Sequence, residues 1–389
     1  MKNTSVLISG GSIAGTALAY WLRRYGFEVA IVELTPELRK GGQAIDVRGT
    51  AMEVAERMGI AGAVRAERIV SKGMSMVDSD GNEVYRSTES TLTGGDIGGP
   101  DVEILREDLA RITADAAGDG VEYLFGDTIT EIRQDGDGVT VAFKNRPERR
   151  FDLVVGADGL HSNTRRLVMG GEQDFITHLG TYMGVWTVPN FLGLDHWQTF
   201  HQIPGDAWGG GVMAVRDNSE CRAYFGFESA EPIEYDYRDI KAQKALLAEK
   251  LDTGAWVLPE LLKYMWESDE FHFDSMSQIH LDRWSVGRVA LVGDAAHCGS
   301  PLSGQGTSLA MVGAYVLAGE LKAADGDHEI AFDAYRAELR EWVELNQGLA
   351  LTNKARVEAQ RRGEEVAEGF GLDETFREAT TGYRLKDYS

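Results

Sequence analysis

Three groups of residues in this 389-residue chain have types and spacing that suit chemistry. The first is Val6-Leu7-Ile8-Ser9-Gly10-Gly11-Ser12-Ile13-Ala14-Gly15, a short apolar run ending in small residues, followed by Thr16 to Leu22, which reads as a helix. A strand, a tight turn and a helix start make a pyrophosphate site, because unpaired backbone N–H groups and the positive end of the helix dipole face the anion. Phe27 to Val32 reads as a second strand. Glu33 at its end lies 18 residues past Gly15, close to the offset of about 20 at which a carboxylate accepts hydrogen bonds from an adenosine ribose. A carboxylate there suits the unphosphorylated ribose of FAD or NAD. Ser12 replaces the second glycine of G-x-G-x-x-G, so its backbone must adopt a conformation that serine tolerates, with the hydroxyl turned away or joined to the contact.

The second group is Asp152-Leu153-Val154-Val155-Gly156-Ala157-Asp158-Gly159-Leu160-His161-Ser162-Asn163-Thr164-Arg165. The third is Gly293-Asp294-Ala295-Ala296-His297, followed by Pro301 and Gly304-Gln305-Gly306-Thr307. Paired with the nucleotide loop far upstream, this third group points to a bound flavin.

The elements that must position these groups follow from periodicity. Residues 151–159 and 287–293 read as buried apolar strands of a parallel sheet. A helix is expected from Thr50 to about Met58, another from Ile104 to about Ala117, and a third from Ser308 to Leu321. Asp78 to Gly81 and Asp135 to Gly138 read as hairpin turns. Between Thr181 and Glu228, four alternating or aromatic-rich runs separated by Pro, Gly, Asp and Asn read as an antiparallel sheet. Ile240 to Leu251 and Ala331 to about Gln360 read as helices. The expected fold class is α/β, a Rossmann-like nucleotide-binding domain interrupted by an antiparallel β-sheet substrate domain, with a long C-terminal helix. Residues 1–70, 98–176 and 276–325 are assigned to the first domain, 71–97 and 177–275 to the second, and 326–389 to the C-terminal segment.

Charge is lopsided: 39 Lys+Arg against 62 Asp+Glu gives −23, which argues against nucleic acid or an anionic membrane as partner. Cys221 and Cys298 are too few for a disulfide framework and no Cys/His spacing suggests a metal site, so a cytoplasmic setting is expected. No secretory signal and no membrane-length apolar run is present. A monomer or weak homo-oligomer is expected.

The order of the three motifs resembles the single-component flavoprotein monooxygenases related to p-hydroxybenzoate hydroxylase, over nearly the whole chain. Gly41-Gly42-x-x-x-Asp46, the Arg106 helix and the chain length are most similar to tetracycline-inactivating monooxygenases and polyketide-tailoring hydroxylases. The resemblance implies FAD held by Gly10, Ser12, Ile13, Ala14, Gly15, Glu33, Gly42, Asp46, Arg106, Asp158, Asp294, Gly304, Gly306 and Thr307. It further implies NADPH or NADH as transient co-substrate, with Arg39 at the NADPH phosphate, and O₂ as second substrate. A flavin C4a-hydroperoxide would deliver one oxygen atom to an aromatic or polyketide-like molecule. Pro301 would be a wall residue beside the reactive C4a edge, Arg48 would face either the substrate or the flavin, and Gln198, Trp208, Met213 and Phe225 would line the substrate pocket. Each residue also has a plainer reading: Asp294 as a helix cap, Arg106 as a surface cation beside Glu107 and Asp108, Arg39 as part of a solvated loop, His297 as structural, Cys298 as filler. Ser308 stands where the family commonly has Asn, and Gly313-Ala314 replaces Asp-Ala. Three other functions use the same features: a non-oxygenating enzyme with FAD as scaffold, a flavin dehydrogenase or oxidase, and a nucleotide-binding module without catalysis.

Overall fold

A computed structural model describes residues 1–91, 95–201, 209–361 and 374–388. Its first sheet has six strands in the order Ser285–Val286, Val289–Leu291, Leu153–Gly156, Ser5–Ser9, Glu28–Glu33 and Val121–Phe125, and every pair but the first is parallel. Its inner strands are buried on both faces, which is why they read as unbroken apolar runs. Val6 and Ile8 join the core shared with helices Ile13–Arg24 and Gly306–Ala323, whereas Leu7 and Val154 pack against Val139, Val141 and Phe151 of a three-stranded antiparallel sheet on the opposite side.

The helix expected from Ile104 begins two residues later. Val102–Leu105 is a strand, paired antiparallel with Ala44–Val47, and the helix spans Arg106–Ala117, stopped by Gly118 at φ 73°. Ile104 and Leu105 enter different cores, the alternation of a strand that a short apolar run cannot distinguish from a helical start.

The second large sheet orders Phe271–Ile279, Ile176–Pro189, Glu220–Glu228, Gly209–Val215, Trp197–His201, Gly73–Val77 and Glu83–Ser87. It is mixed, because Trp197–His201 runs parallel to Gly73–Val77. Side chains alternate between its faces. Tyr182, Trp186, Val212, Ala223, Phe225 and Phe227 form one core with helices Ile240–Leu251 and Leu258–Glu267. Val185, Met213, Val215 and Tyr224 form another with Leu105, on the side of the nucleotide-binding sheet.

Helix His328–Arg361 has 34 residues, about 50 Å of helix. It packs against Gly306–Ala323, the Pro301–Ser303 turn and the terminal helix Glu374–Thr381. No helix among the described residues is long and apolar enough to cross a membrane.

Candidate active site

The nucleotide loop is built where only glycine fits. Gly10 has φ +106°, and a Cβ on it would fall 2.4 Å from Ala157 O; one on Gly15 would fall 2.0 Å from Gly10 O. Ser12 is extended (φ −95°, ψ −169°), a conformation any residue adopts. Its hydroxyl does not cap the helix opened by Ile13 and Ala14, but accepts from Arg106 Nη2 at 2.9 Å. The first-turn N–H groups therefore have no side-chain acceptor, and the helix dipole adds its positive end. Glu33 steadies the loop: Oε2 accepts from Gly11 N at 2.8 Å and Oε1 from Thr35 N and Oγ1 at 2.9 Å.

Arg106 is not a surface partner of its acidic neighbours. Glu107 and Asp108 are taken by Arg216 at 2.7 Å each, and Glu107 also by Arg222 at 3.1 Å. Arg106 Nη1 is buried without a hydrogen-bond partner, and burial, then Arg39, lowers its pKa to about 10. A buried guanidinium N–H that lacks an acceptor fits an anionic or hydroxyl-rich ligand. Gly42 (φ +103°) lets Arg106 pass: its Cβ would lie 3.3 Å from Arg106 Cδ. Gly41 N donates to Glu107 Oε2 at 2.8 Å and Gly42 O accepts from Arg222 Nε at 3.2 Å, so this loop is pinned from both sides.

Asp158 stands at a helix start instead of presenting a free carboxylate. It accepts from Ser162 Oγ at 2.5 Å, Thr164 N at 2.9 Å, Thr164 Oγ1 at 2.8 Å and Ser9 Oγ at 3.2 Å. It thus ties the second motif to the first strand. Its neighbour His161 donates to Glu172 at 3.0 Å and Asp274 at 3.1 Å. Burial opposes its charge, but those bonds outweigh burial and raise its pKa to about 9.

Asp294 starts the one-turn helix Asp294–His297, and desolvation raises its carboxyl above the usual range against the opposing charge of Arg106. Ser300 at φ +71° turns the chain into Pro301–Ser303, and Gly304 at φ +64° turns it out again. Pro301, Gly304 and Gly306 are exposed, and a Cβ on Gly306 would meet nothing within 4 Å. Gly306 and Thr307 open the 18-residue helix without a side-chain cap or an acidic residue in its first turn. The loop is held from behind: Asn353 Nδ2 donates to Leu302 O at 2.8 Å, Gln347 Nε2 to Cys298 O at 3.2 Å, and Gln278 Nε2 to Gly299 O at 3.2 Å. These three residues escaped the sequence reading, for their role depends on a helix and a strand brought in from elsewhere. Ser308 Oγ is buried without a partner, and Gly313 lies against His297, its Cβ position 3.6 Å from Nε2.

Arg48 is buried beside Gly304. It pairs with Asp46 at 2.9 Å and Asp101 at 3.6 Å, and Phe376 lies 5.6 Å from its guanidinium. Burial, opposed by Arg48, raises Asp46 to about 6. Arg39 is exposed and its Nη2 donates to His272 Nδ1 at 2.9 Å. Burial, then Arg39, lowers His272 to about 3, which keeps it neutral.

The substrate-side expectations divide by sheet face. Gln198 sits opposite Met213, and Met213 opposite Arg222, so all three share the face turned to the groove loops. Phe225 does not. It is buried on the far face, 6.0 Å from Trp186 and 6.5 Å from Trp256, and cannot reach the groove without reversing the strand's alternation. Trp208 lies outside the described residues. Met183 and Phe200, partly exposed on the groove side, join Met213. Gly211 makes room for the Phe200 ring, because a Cβ there would fall 2.5 Å from Phe200 Cδ1.

Two uncapped helix starts, the glycine cradle and the unpartnered Arg106 N–H converge on one groove, and they fit FAD. Residues 3–345 match the FAD binding domain family. An uncharacterized protein of Mycobacterium tuberculosis (strain CDC 1551 / Oshkosh), MT1298, is 53% identical over 90% of this chain and 93% of its own length. A flavin-dependent monooxygenase of Legionella longbeachae serogroup 1 (strain NSW150) is 40% identical over 89% and 87%. The crystal structure of tetracycline destructase Tet(51) superposes with a TM-score of 0.88 at 34% identity, over 99% of this chain and 100% of that one. The chain belongs to the FAD-binding-domain family and, within it, to the flavin-dependent monooxygenases.

Proposed function

We propose that the protein transfers one oxygen atom from O₂ to a fused-ring, polyketide-like substrate, with NADPH or NADH as electron donor. The observation that carries this reading is the groove-side face of the seven-stranded sheet, where Met183 and Phe200 present apolar surface, with Met213 buried between them, and no charge stands free. Arg222 on that face is already bound by Glu107 and Glu220. Such a wall takes a flat, largely uncharged ring system and keeps water from it.

Bound FAD would supply the redox chemistry, accepting hydride from the coenzyme and activating O₂. Arg106, Ser12 and the Ile13–Arg24 helix start would hold its anionic half, and Glu33 and Asp294 its hydroxyls. The uncapped start of Gly306–Ala323 would place N–H groups where negative charge gathers on the reduced ring. Arg39, exposed beside His272, would meet the coenzyme phosphate, and Arg48 and Pro301 would bound the substrate's reacting edge. Similarity to tetracycline destructase Tet(51) supports a tetracycline among the first substrates to try.

The test is NADPH oxidation by FAD-loaded protein against tetracyclines, aromatic polyketides and simple phenols under ¹⁸O₂, with products weighed by mass spectrometry. A fused-ring compound should accelerate NADPH loss and gain one ¹⁸O. A product formed without ¹⁸O or NADPH use would sink the reading.

A further inference from the structure

The backbone of residues 41–44 is held from two elements that belong to different sheets of the fold. Gly41 N donates to Glu107 Oε2 at 2.8 Å and Gln43 O accepts from Arg106 N at 3.1 Å, both at the start of helix Arg106–Ala117. Gly42 O accepts from Arg222 Nε at 3.2 Å and Ala44 N donates to Tyr224 Oη at 2.9 Å, both on strand Glu220–Glu228 of the seven-stranded sheet. Arg222 and Tyr224 stand two residues apart and so leave the strand on one face. The backbone groups they grip are spaced by two residues as well.

This loop depends on such partners. Gly41 and Gly42 have φ +69° and +103°, a region where glycine gives the chain freedom that folding must remove, and backbone groups shielded from water need partners. The gripping side chains are themselves fixed. Arg222 is 1% exposed, with Nη1 on Glu220 Oε1 at 2.8 Å and Nη2 on Glu107 Oε1 at 3.1 Å, which leaves Nε for Gly42. Tyr224 is buried in the core with Leu105, Val185 and Met213, and burial raises its pKa, so its hydroxyl stays neutral. Burial opposes the charge of Glu107, but Gly41 N–H and Arg216 outweigh it and lower its pKa, so this anchor stays anionic.

Arg106 feels the result. A Cβ on Gly42 would lie 3.3 Å from Arg106 Cδ, so the loop runs against the stem of the guanidinium whose Nη2 meets Ser12 and whose Nη1 is buried without an acceptor. One loop and one side chain thus connect the groove-side face of the seven-stranded sheet to the nucleotide loop.

We propose that Arg222 and Tyr224 are positioning residues for FAD, which set the 41–44 loop, and through it Arg106, from the sheet on the substrate side. This role concerns the cofactor and holds whichever substrate the groove accepts. FAD affinity of the full chain is measured by quenching of flavin fluorescence, and the visible absorption of the FAD-loaded protein reports the surroundings of the ring. Tyr224→Phe removes only the acceptor for Ala44 N, and Arg222→Lys keeps the charge between Glu107 and Glu220 but loses Nε. Each should raise the FAD dissociation constant about three- to tenfold, the worth of one hydrogen bond, and shift the flavin absorption band. The double variant should lose less than the product of the two, because either change frees the same loop. Val212→Ala, buried on the opposite face of the neighbouring strand, should lower stability and leave FAD affinity and absorption unchanged. Tyr224→Phe keeps its ring in the core and decides the case if Arg222→Lys does not fold. Parent-like affinity and absorption in the foldable variants, equal shifts in Val212→Ala, or losses that multiply in the double variant would each overturn the proposal.

Discussion

Arg106 concentrates the binding chemistry of the groove in one side chain. It reaches Ser12 through one Nη and leaves the other buried without an acceptor. Arg106→Gln should weaken FAD by about ten- to a hundredfold, the equivalent of a hydrogen bond to a charged group at about 1.5–3 kcal/mol; flavin fluorescence quenching reads it directly. Phe225 and Met213 make a contrasting pair. Phe225→Ala should cost about 3–5 kcal/mol of stability, because it empties a packed core far from the groove. If denaturant melts show F225A as stable as the parent, the far-face assignment is wrong. The nucleotide loop was legible in sequence because its glycines answer to local geometry, the close crossing of Gly10 and Ala157. Face assignment in the seven-stranded sheet was not. Which parity turns inward depends on the helices covering the other side, and Leu258–Glu267 was not recognised. The Asp158 carboxylate accepts from Ser162 and Thr164, which its own motif supplies, and from Ser9, which only folding brings beside it.

At the scale of elements, the 298–304 loop hangs between a strand and the long helix by Gln278, Gln347 and Asn353. Asn353→Ala should loosen it and raise the FAD dissociation constant about three- to tenfold, with far-ultraviolet circular dichroism unchanged. The second motif is latched to the large sheet by His161 between Glu172 and Asp274. Its folded pKa, about 9, exceeds the ordinary 6.5. The latch therefore contributes fully below about pH 6.5, and its contribution falls as pH rises through 9. Thermal melts from pH 6 to pH 10 should show a decline in the parent that His161→Gln lacks; parallel profiles would dismiss the latch. The helix and strand periods were readable from sequence because burial imposes them. The strand at Val102–Leu105 was not, because four residues are too few for a period to show.

Over the whole molecule, the chain crosses repeatedly between its two large sheets. Gly73–Val77 and Glu83–Ser87 leave the nucleotide-binding side for the far end of the seven-stranded sheet, and Phe271–Ile279 borders the other end before the chain returns. The motif order carried this interrupted plan in the sequence, because each motif must end a strand of the same parallel sheet. The surface charge of −23 said nothing of it. The last parallel strand, Val289–Leu291, lies directly against Leu153–Gly156, which lies against Ser5–Ser9. A polypeptide ending at residue 286 would thus lack a strand, Asp294 and the Gly306–Ala323 helix together, and should be recovered as aggregate without bound flavin; a soluble, yellow fragment would contradict this. The same interleaving bears on synthesis. The ribosome releases the first βαβ turn early, yet its sheet stays open until residue 291 has emerged, with an apolar edge waiting through most of translation. Long-range pairing of this kind closes slowly and exposes strand edges meanwhile. Yield in a living cell should therefore depend on chaperone supply and translation speed more than the melting temperature of the finished protein would suggest.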